Sequence, residues 1–427
     1  MVHVIRRCTI GSFAAVIAAS PAAAQSLPRV QPEEVGLSSD ALARIAPALR
    51  THTESGRLPG IVFAVARHGK LVQLDALGSM DIAGNVPMRT DAVFRIYSMT
   101  KAVTGAAVAQ LVERGKIHLD DPVSKYIPAF ADVRVLVGGS AANPLLRAPT
   151  RPITIAHLLT HSAGLTYGTF GNTPADSIYR SAGLLDPTRT IGQFADSIAR
   201  LPLLSDPGTR WNYSMAMDVL GRAVEVASGK RFDRYLEDEL FKPLKMRETG
   251  FHATAAMQGR MATIYTRGPN GALVPDAELL GDGYREHDTV FAGGQGLLST
   301  MADYLRFTQM LLNGGSLDGK RVLAQRSVDM MMRNHLPAEL SPIAPPPLGN
   351  KRGYGQGFGG VVMLDSVAAG LPTSPGVYQW CGYAGTYFWI DRAKDLIGMV
   401  WMQLYAGCPH PIERQFQQLV YGAIVGR

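Results

Sequence analysis

The stretch Ile96-Tyr97-Ser98-Met99-Thr100-Lys101-Ala102-Val103-Thr104 decides how the chain is read. It sets a serine and a lysine three residues apart at the start of a helix. Residues 99–114 hold no proline, one glycine and many small or straight-chain residues, a composition that favours helix. Gly115 stops it, and Arg114 suits its negative end. Ser98 falls at or near the N-terminus, with Lys101 one turn on, along the same face. The alanines, Val103, Val108, Leu111 and Val112 leave almost no polar face, so the spacing predicts a central, buried helix. A buried ammonium is costly unless it is paired or its pKa falls toward neutrality. A serine hydroxyl in the positive field of that helix end is a candidate nucleophile whose proton the lysine can help manage. Taken alone, Ser-x-x-Lys also fits an N-cap serine beside a surface lysine.

Working outward, the first 24 residues read as a signal peptide. Arg6 and Arg7 form a positive start, residues 10–19 a short apolar run, and Ala22-Ala23-Ala24 a small-x-small cleavage site before Gln25. The expected mature protein is periplasmic or secreted. No other stretch reaches ~18 uninterrupted apolar residues, so no membrane span is expected. Net charge is +7 over 427 residues. It is scattered, without a basic run or a nucleic-acid motif, and reads as solubility rather than as a partner signal. No cysteine–histidine grouping has zinc spacing and no His-Glu-x-x-His occurs, so neither metal nor cofactor is expected.

Strands are expected at both ends of the chain. Ile61-Val62-Phe63-Ala64-Val65-Ala66 and Leu71-Val72-Gln73-Leu74 flank a turn at His68-Gly69, and Phe94-Arg95-Ile96 feeds the Ser98 helix. Residues 357–363 read as one strand, 386–391 and 396–402 as a hairpin about residues 392–395, and 411–425 as a closing helix. Between them lie helices over 190–201, 217–227 and 232–241, the last ended by Pro243. The proline-rich residues 336–352 read as a surface loop. The expected fold class is therefore α+β: an antiparallel sheet from both chain ends (27–97 plus 296–427), flanked by helices, with a mainly helical domain (98–295) inserted.

Two more stretches join the first: Trp211-Asn212-Tyr213-Ser214-Met215, and Gln379-Trp380-Cys381-Gly382-Tyr383-Ala384-Gly385-Thr386. Ser-x-x-Lys, then Tyr-Ser-x, then apolar-x-Gly at a strand is the ordered pattern of serine penicillin-recognising enzymes. The chain resembles class C β-lactamases and, more closely, family VIII carboxylesterases, over about residues 32–425. Leu158-Leu159-Thr160-His161-Ser162-Ala163-Gly164-Leu165 and Gly293-Gly294-Gln295-Gly296-Leu297-Leu298-Ser299-Thr300 extend the likeness. The resemblance implies a two-domain β-lactamase/transpeptidase-like fold with Ser98 as acylated nucleophile. It implies Tyr213 as general base with Lys101 beside it, and the backbone N–H groups of Ser98 and Tyr383 as oxyanion hole. A free tyrosine titrates near ~10, so such a base needs adjacent positive charge.

The departures narrow the substrate. Class C β-lactamases carry Tyr-x-Asn and Lys-Thr-Gly; here Met215 and Trp380-Cys381-Gly382 stand instead. Methionine cannot hold an amide. With the lysine gone, Trp380 is expected to wall a site for an uncharged group, with Met215, Cys381 and Gly382 also on the substrate. The expected activity is hydrolysis of short-chain esters through an acyl-serine, with weak cephalosporin hydrolysis as a companion. The alternatives are a β-lactamase or D-Ala-D-Ala peptidase, or a non-catalytic ligand-binding scaffold, disfavoured because Ser98, Lys101 and Tyr213 are all present. No Gly-x-Ser-x-Gly occurs, which removes the α/β-hydrolase elbow. His161 and His252 read as structural hydrogen-bonders. Cys381 and Cys408 are the cysteines left after cleavage. Folding the hairpin brings them opposite within about one residue of register, so a disulfide and two free thiols both stand open.

Overall fold

In the structure, a computed structural model, residues 27–184, 186, 188–276, 290–349, 352–405, 407, 408 and 410–425 are described. The leader-like residues 1–24 lie outside these. Eight strands build one sheet: β1 (Gly60–Arg67), β2 (Lys70–Asp81), β3 (Val86–Pro87), β4 (Tyr354–Gln356), β5 (Val361–Met363), β6 (Tyr378–Gly382), β7 (Thr386–Asp391) and β8 (Leu396–Trp401). Their spatial order is β4-β5-β6-β7-β8-β1-β2-β3, so the chain's two ends meet where β1 pairs antiparallel with β8, Phe63 opposite Val400. The sheet is thus assembled from both ends, as the apolar runs predict.

The central strands read as unbroken apolar runs because both sheet faces are covered. On one face, Phe416 of α5 (Pro411–Gly422) meets Phe63 and Trp389 at 5.5 and 5.4 Å between ring centroids, and α1 (Ile45–Glu54) packs beside it. On the other, Tyr304 of α4 (Met301–Leu312) meets Phe388 and Trp401. The same tyrosine donates its hydroxyl hydrogen to the Met99 carbonyl at 3.0 Å, tying the covering helix to the Ser98 turn.

Helix α2 (Thr100–Glu113) is buried from Thr100 to Leu111, which accounts for its lack of a polar face. It packs against α3 (Ala216–Ser228), which ends on left-handed Gly229 as its sequence predicts. One core joins the sheet to this helical region.

Two boundaries differ from the sequence reading. Residues 357–363 are not one strand: β4 ends at Gln356, β5 starts at Val361, and Gly357-Phe358-Gly359-Gly360 turns between them. Gly359 has φ +74°, and a Cβ there would stand 1.9 Å from the Lys101 carbonyl. The turn exists because it presses on α2. Pro243 does not end its helix either. A π turn (Glu237–Phe241) precedes it, and Pro243 then sits in the first turn of Lys242–Leu244, where a missing N–H costs little.

Candidate active site

Ser98 lies on a 3-10 turn (Tyr97–Met99) immediately before α2. Tyr97 carries a left-handed φ of 43°, a costly conformation for a bulky residue that the surroundings must enforce. They do so from three sides. Ile96 donates its N–H to the Leu297 carbonyl at 3.0 Å, Met99 donates to the Ile96 carbonyl, and the Thr386 hydroxyl donates to that same carbonyl. Gly382 lets β6 reach it, since a Cβ there would stand 2.3 Å from the Ile96 oxygen.

Lys101 is fully buried. Its Nζ donates to Ser98 Oγ at 3.0 Å and to the Gly294 carbonyl at 2.7 Å. The Tyr213 hydroxyl donates to Ser98 Oγ at 2.8 Å, so the serine oxygen stands between the two. Lys101 Nζ also lies 4.9 Å from the Tyr213 ring centroid and 5.3 Å from that of Tyr167, where the ring faces offer the ammonium a favourable field. The three residues that the Ser-x-x-Lys and Tyr-Ser-x patterns single out therefore meet at one oxygen, although 115 residues separate Ser98 from Tyr213.

Each supporting stretch has a local task. The 293–297 segment runs along α2: Thr104 Oγ1 donates to the Gly293 carbonyl and Leu297 N–H donates to Thr100 Oγ1. The 158–165 segment holds the loop that carries the tyrosine. Asn212 donates its backbone N–H to the His161 carbonyl and its side-chain amide to the Leu165 carbonyl. His161 itself is buried, with Nδ1 3.2 Å from Ser214 Oγ. Burial first, and the Lys101 charge second, hold its imidazole well below its usual pKa, so it is neutral and structural, as read.

Asp218 on α3 escaped the sequence reading. Its Oδ1 accepts from Gly294 N–H at 2.8 Å, and the carbonyl of the same glycine accepts from Lys101, so one residue bridges the two side chains. Burial raises its pKa, opposed by the Lys101 charge and the Gly294 hydrogen bond. A buried cation near a buried carboxylate is the pairing a low-dielectric interior demands. The available signal was a lone acid within Met217-Asp218-Val219-Leu220 on an otherwise apolar helix face.

Ser98 opens into a cavity of about 250 Å³. Tyr97, Tyr167, Phe170, Tyr213, Met215, Tyr383 and Tyr405 supply most of its wall, with Thr169, Gln295, Pro346, Cys381 and Cys408. Among the described residues no charged side chain lines it. Met215, Cys381 and Tyr383 are among the lining residues. Trp380 and Gly382 are not. The indole is 1% exposed and packs edge-on against the Tyr213 ring at 5.4 Å, one of four aromatic neighbours with His161, Tyr167 and Phe170. Trp380 thus steadies Tyr213 instead of walling the cavity, and Gly382 serves the close approach to Ile96. Tyr167, Phe170, Pro346 and Tyr405 were missed because they come from loops without periodicity. Pro346 also shows that the proline-rich segment is more than a surface loop.

The structure joins Cys381 and Cys408 in a disulfide. The two do not meet by continuing the β7–β8 register. Cys381 belongs to β6, beyond the turn that separates it from β7, and pairs with Tyr387 across the ladder. The chain after β8 runs past that turn, with Leu404 N–H on the Ala384 carbonyl and Gly407 N–H on the Tyr383 carbonyl, and so carries Cys408 to Cys381. Among the described residues, no carbonyl or side chain accepts from the Ser98 or Tyr383 N–H, and no group of three or more His, Cys, Asp or Glu could hold a metal.

Comparison with known proteins agrees with this arrangement. The family model "Beta-lactamase" matches residues 45–419. An uncharacterized protein of Mycobacterium tuberculosis (strain CDC 1551 / Oshkosh) is 36% identical over 82% of this chain and 87% of its own. "Esterase EstB" of Burkholderia gladioli is 31% identical over 86% of this chain and 91% of its own. The solved structure of "EstCE1, a hydrolase with promiscuous acyltransferase activity" superimposes with a TM-score of 0.76 at 27% identity, over 90% of this chain and 99% of that one. With a sheet drawn from both chain ends, a serine poised between lysine and tyrosine, and a family match over most of its length, the chain belongs to the Beta-lactamase family.

Proposed function

We propose that the protein is a serine esterase that hydrolyses short, uncharged carboxylic esters through an acyl group on Ser98. The observation that carries this is Ser98 Oγ, held by Tyr213 and Lys101 at the floor of an apolar cavity with no charged side chain among its described lining. Tyr213 takes the serine proton as Oγ attacks the ester carbonyl, with Lys101 Nζ on the same oxygen. The N–H groups of Ser98 and Tyr383 receive the developing oxyanion. The proton returns to the leaving alkoxide, and water enters by the same route to release the acid. Family members named esterase and hydrolase support the reading. Acyl transfer to an alcohol in place of water is the second reading, supported by the apolar cavity and by the likeness to EstCE1, a hydrolase with promiscuous acyltransferase activity.

A β-lactam brings a carboxylate, and neither Met215 nor any charged lining residue among those described offers it a partner. A charge-assisted hydrogen bond is worth roughly 1.5–3 kcal/mol. The kcat/KM for p-nitrophenyl acetate or butyrate is therefore expected to exceed that for nitrocefin at least tenfold under the same conditions. Equal or reversed values would make β-lactamase the better description.

We also propose that the protein is exported. The leader-like residues 1–24 and the disulfide both fit an oxidising compartment. No helix among the described residues is long and apolar enough to cross a membrane. The intact mass of protein recovered from the periplasm or medium should correspond to a chain starting at Gln25; retention of the leader in the cytoplasm would refute export.

A further inference from the structure

We infer that the Cys381–Cys408 disulfide is a positioning element for the reaction, fixing the backbone N–H of Tyr383 where the substrate carbonyl becomes an oxyanion. The inference rests on the reading of Tyr383 as an oxyanion donor. Tyr383 sits in the turn between β6 and β7, which makes a single bond of its own, Gly385 N–H to the Gly382 carbonyl at 2.8 Å. Its other backbone hydrogen bonds come from the segment after β8, while the Tyr383 ring also packs by Tyr97 and Ile264. Met402, Leu404 and Gly407 donate their N–H groups to the carbonyls of Gly385, Ala384 and Tyr383 at 3.2, 3.0 and 3.0 Å. The Tyr405 ring stands edge-on to the Tyr383 ring at 4.7 Å. That segment is outside the sheet, since β8 stops at Trp401 and α5 starts at Pro411. Its start is held by backbone hydrogen bonds to Tyr265 and by the Gln403 side chain on Arg95; the disulfide is the covalent tie that holds its far end to the turn's approach. The bridge grips the end of β6 two residues before Tyr383, while Gly407 grips the carbonyl of Tyr383 itself, so the donor is held from both sides. Both cysteines also line the cavity beside Ser98.

An oxyanion donor binds the transition state more strongly than the ground state, and small misplacement is expensive. Loosening it should therefore lower kcat and leave KM nearly unchanged. The test compares oxidised enzyme, enzyme reduced by dithiothreitol, and the Cys381→Ala/Cys408→Ala double variant. The dithiol supplies two electrons and two protons, turning the bridge into two thiols as it closes to its own cyclic disulfide. All three forms are assayed below the melting midpoint of the least stable one. The readouts are p-nitrophenyl butyrate kinetics and the rate at which a fluorophosphonate labels Ser98. Both opened forms are expected to show kcat lowered about tenfold, KM within twofold and labelling slowed to match. Reoxidation should restore the reduced enzyme. Unchanged kcat with two thiols titrated per chain, or a rise in KM alone, would overturn the inference and leave the esterase reading intact. Labelling that depends on the bridge, in an oxidised enzyme that turns over no ester, would do the reverse.

Discussion

Ser98→Ala is expected to lower esterase kcat by about 10³-fold or more, the largest effect of any single substitution in this chain. Both proton-handling groups converge on Ser98 Oγ, at 2.8 Å from Tyr213 and 3.0 Å from Lys101. Alanine deletes the atom that forms the covalent bond and leaves both partners facing empty space. Whatever turnover persists comes from binding and from the oxyanion donors, whose backbone the substitution preserves. Ser98 is only half-buried and caps no helix through its side chain, so the melting midpoint should move little. Steady-state kinetics beside a melting curve check this. Retained activity in a folded Ser98→Ala protein would mean that another residue carries the acyl group.

Tyr213→Phe is expected to lower kcat by about 10²-fold, as loss of a general base does. Phenylalanine keeps the ring among His161, Tyr167, Phe170 and Trp380, and so keeps the packing. Only the hydroxyl goes, with its single hydrogen bond to Ser98, a loss worth roughly 0.5–1.5 kcal/mol of stability. KM should change little, because the ring still lines the cavity. A variant near the wild-type rate would assign the base role to Lys101 alone. Lys101 could take it up without moving, since it already touches the serine oxygen.

What was legible in the sequence follows from what repeats or is chemically singular. The sheet drawn from both chain ends was visible because β1, β7 and β8 are apolar without interruption, the pattern of strands covered on both faces. Helix α2 was visible for the same reason. Ser98, Lys101 and Tyr213 stood out because a buried lysine one turn from a serine requires an explanation and the ordered motifs supply one.

The rest was set by contacts that no local pattern encodes. Residues 357–363 include the β-branched Val361-Val362 of a strand, yet Gly357 to Gly360 turn and bring Gly359 against the Lys101 carbonyl. Trp380 lies in the motif that class C enzymes use for substrate, but its indole is consumed by the aromatic packing around Tyr213. Asp218 matters only because the fold sets Gly294 between it and Lys101. The far wall of the cavity comes from Tyr167, Phe170, Pro346 and Tyr405, four loop residues brought together by tertiary structure alone.

The central claim, an acyl group carried on Ser98, is tested most directly by trapping it. The enzyme is mixed with a p-nitrophenyl ester of a bulky acid that deacylates slowly, quenched in acid, and examined by intact mass and peptide mapping. The predicted result is a single adduct of the acyl mass on the peptide containing Ser98, absent in Ser98→Ala. An adduct on a different residue, or ester turnover unaffected by Ser98→Ala, would contradict it.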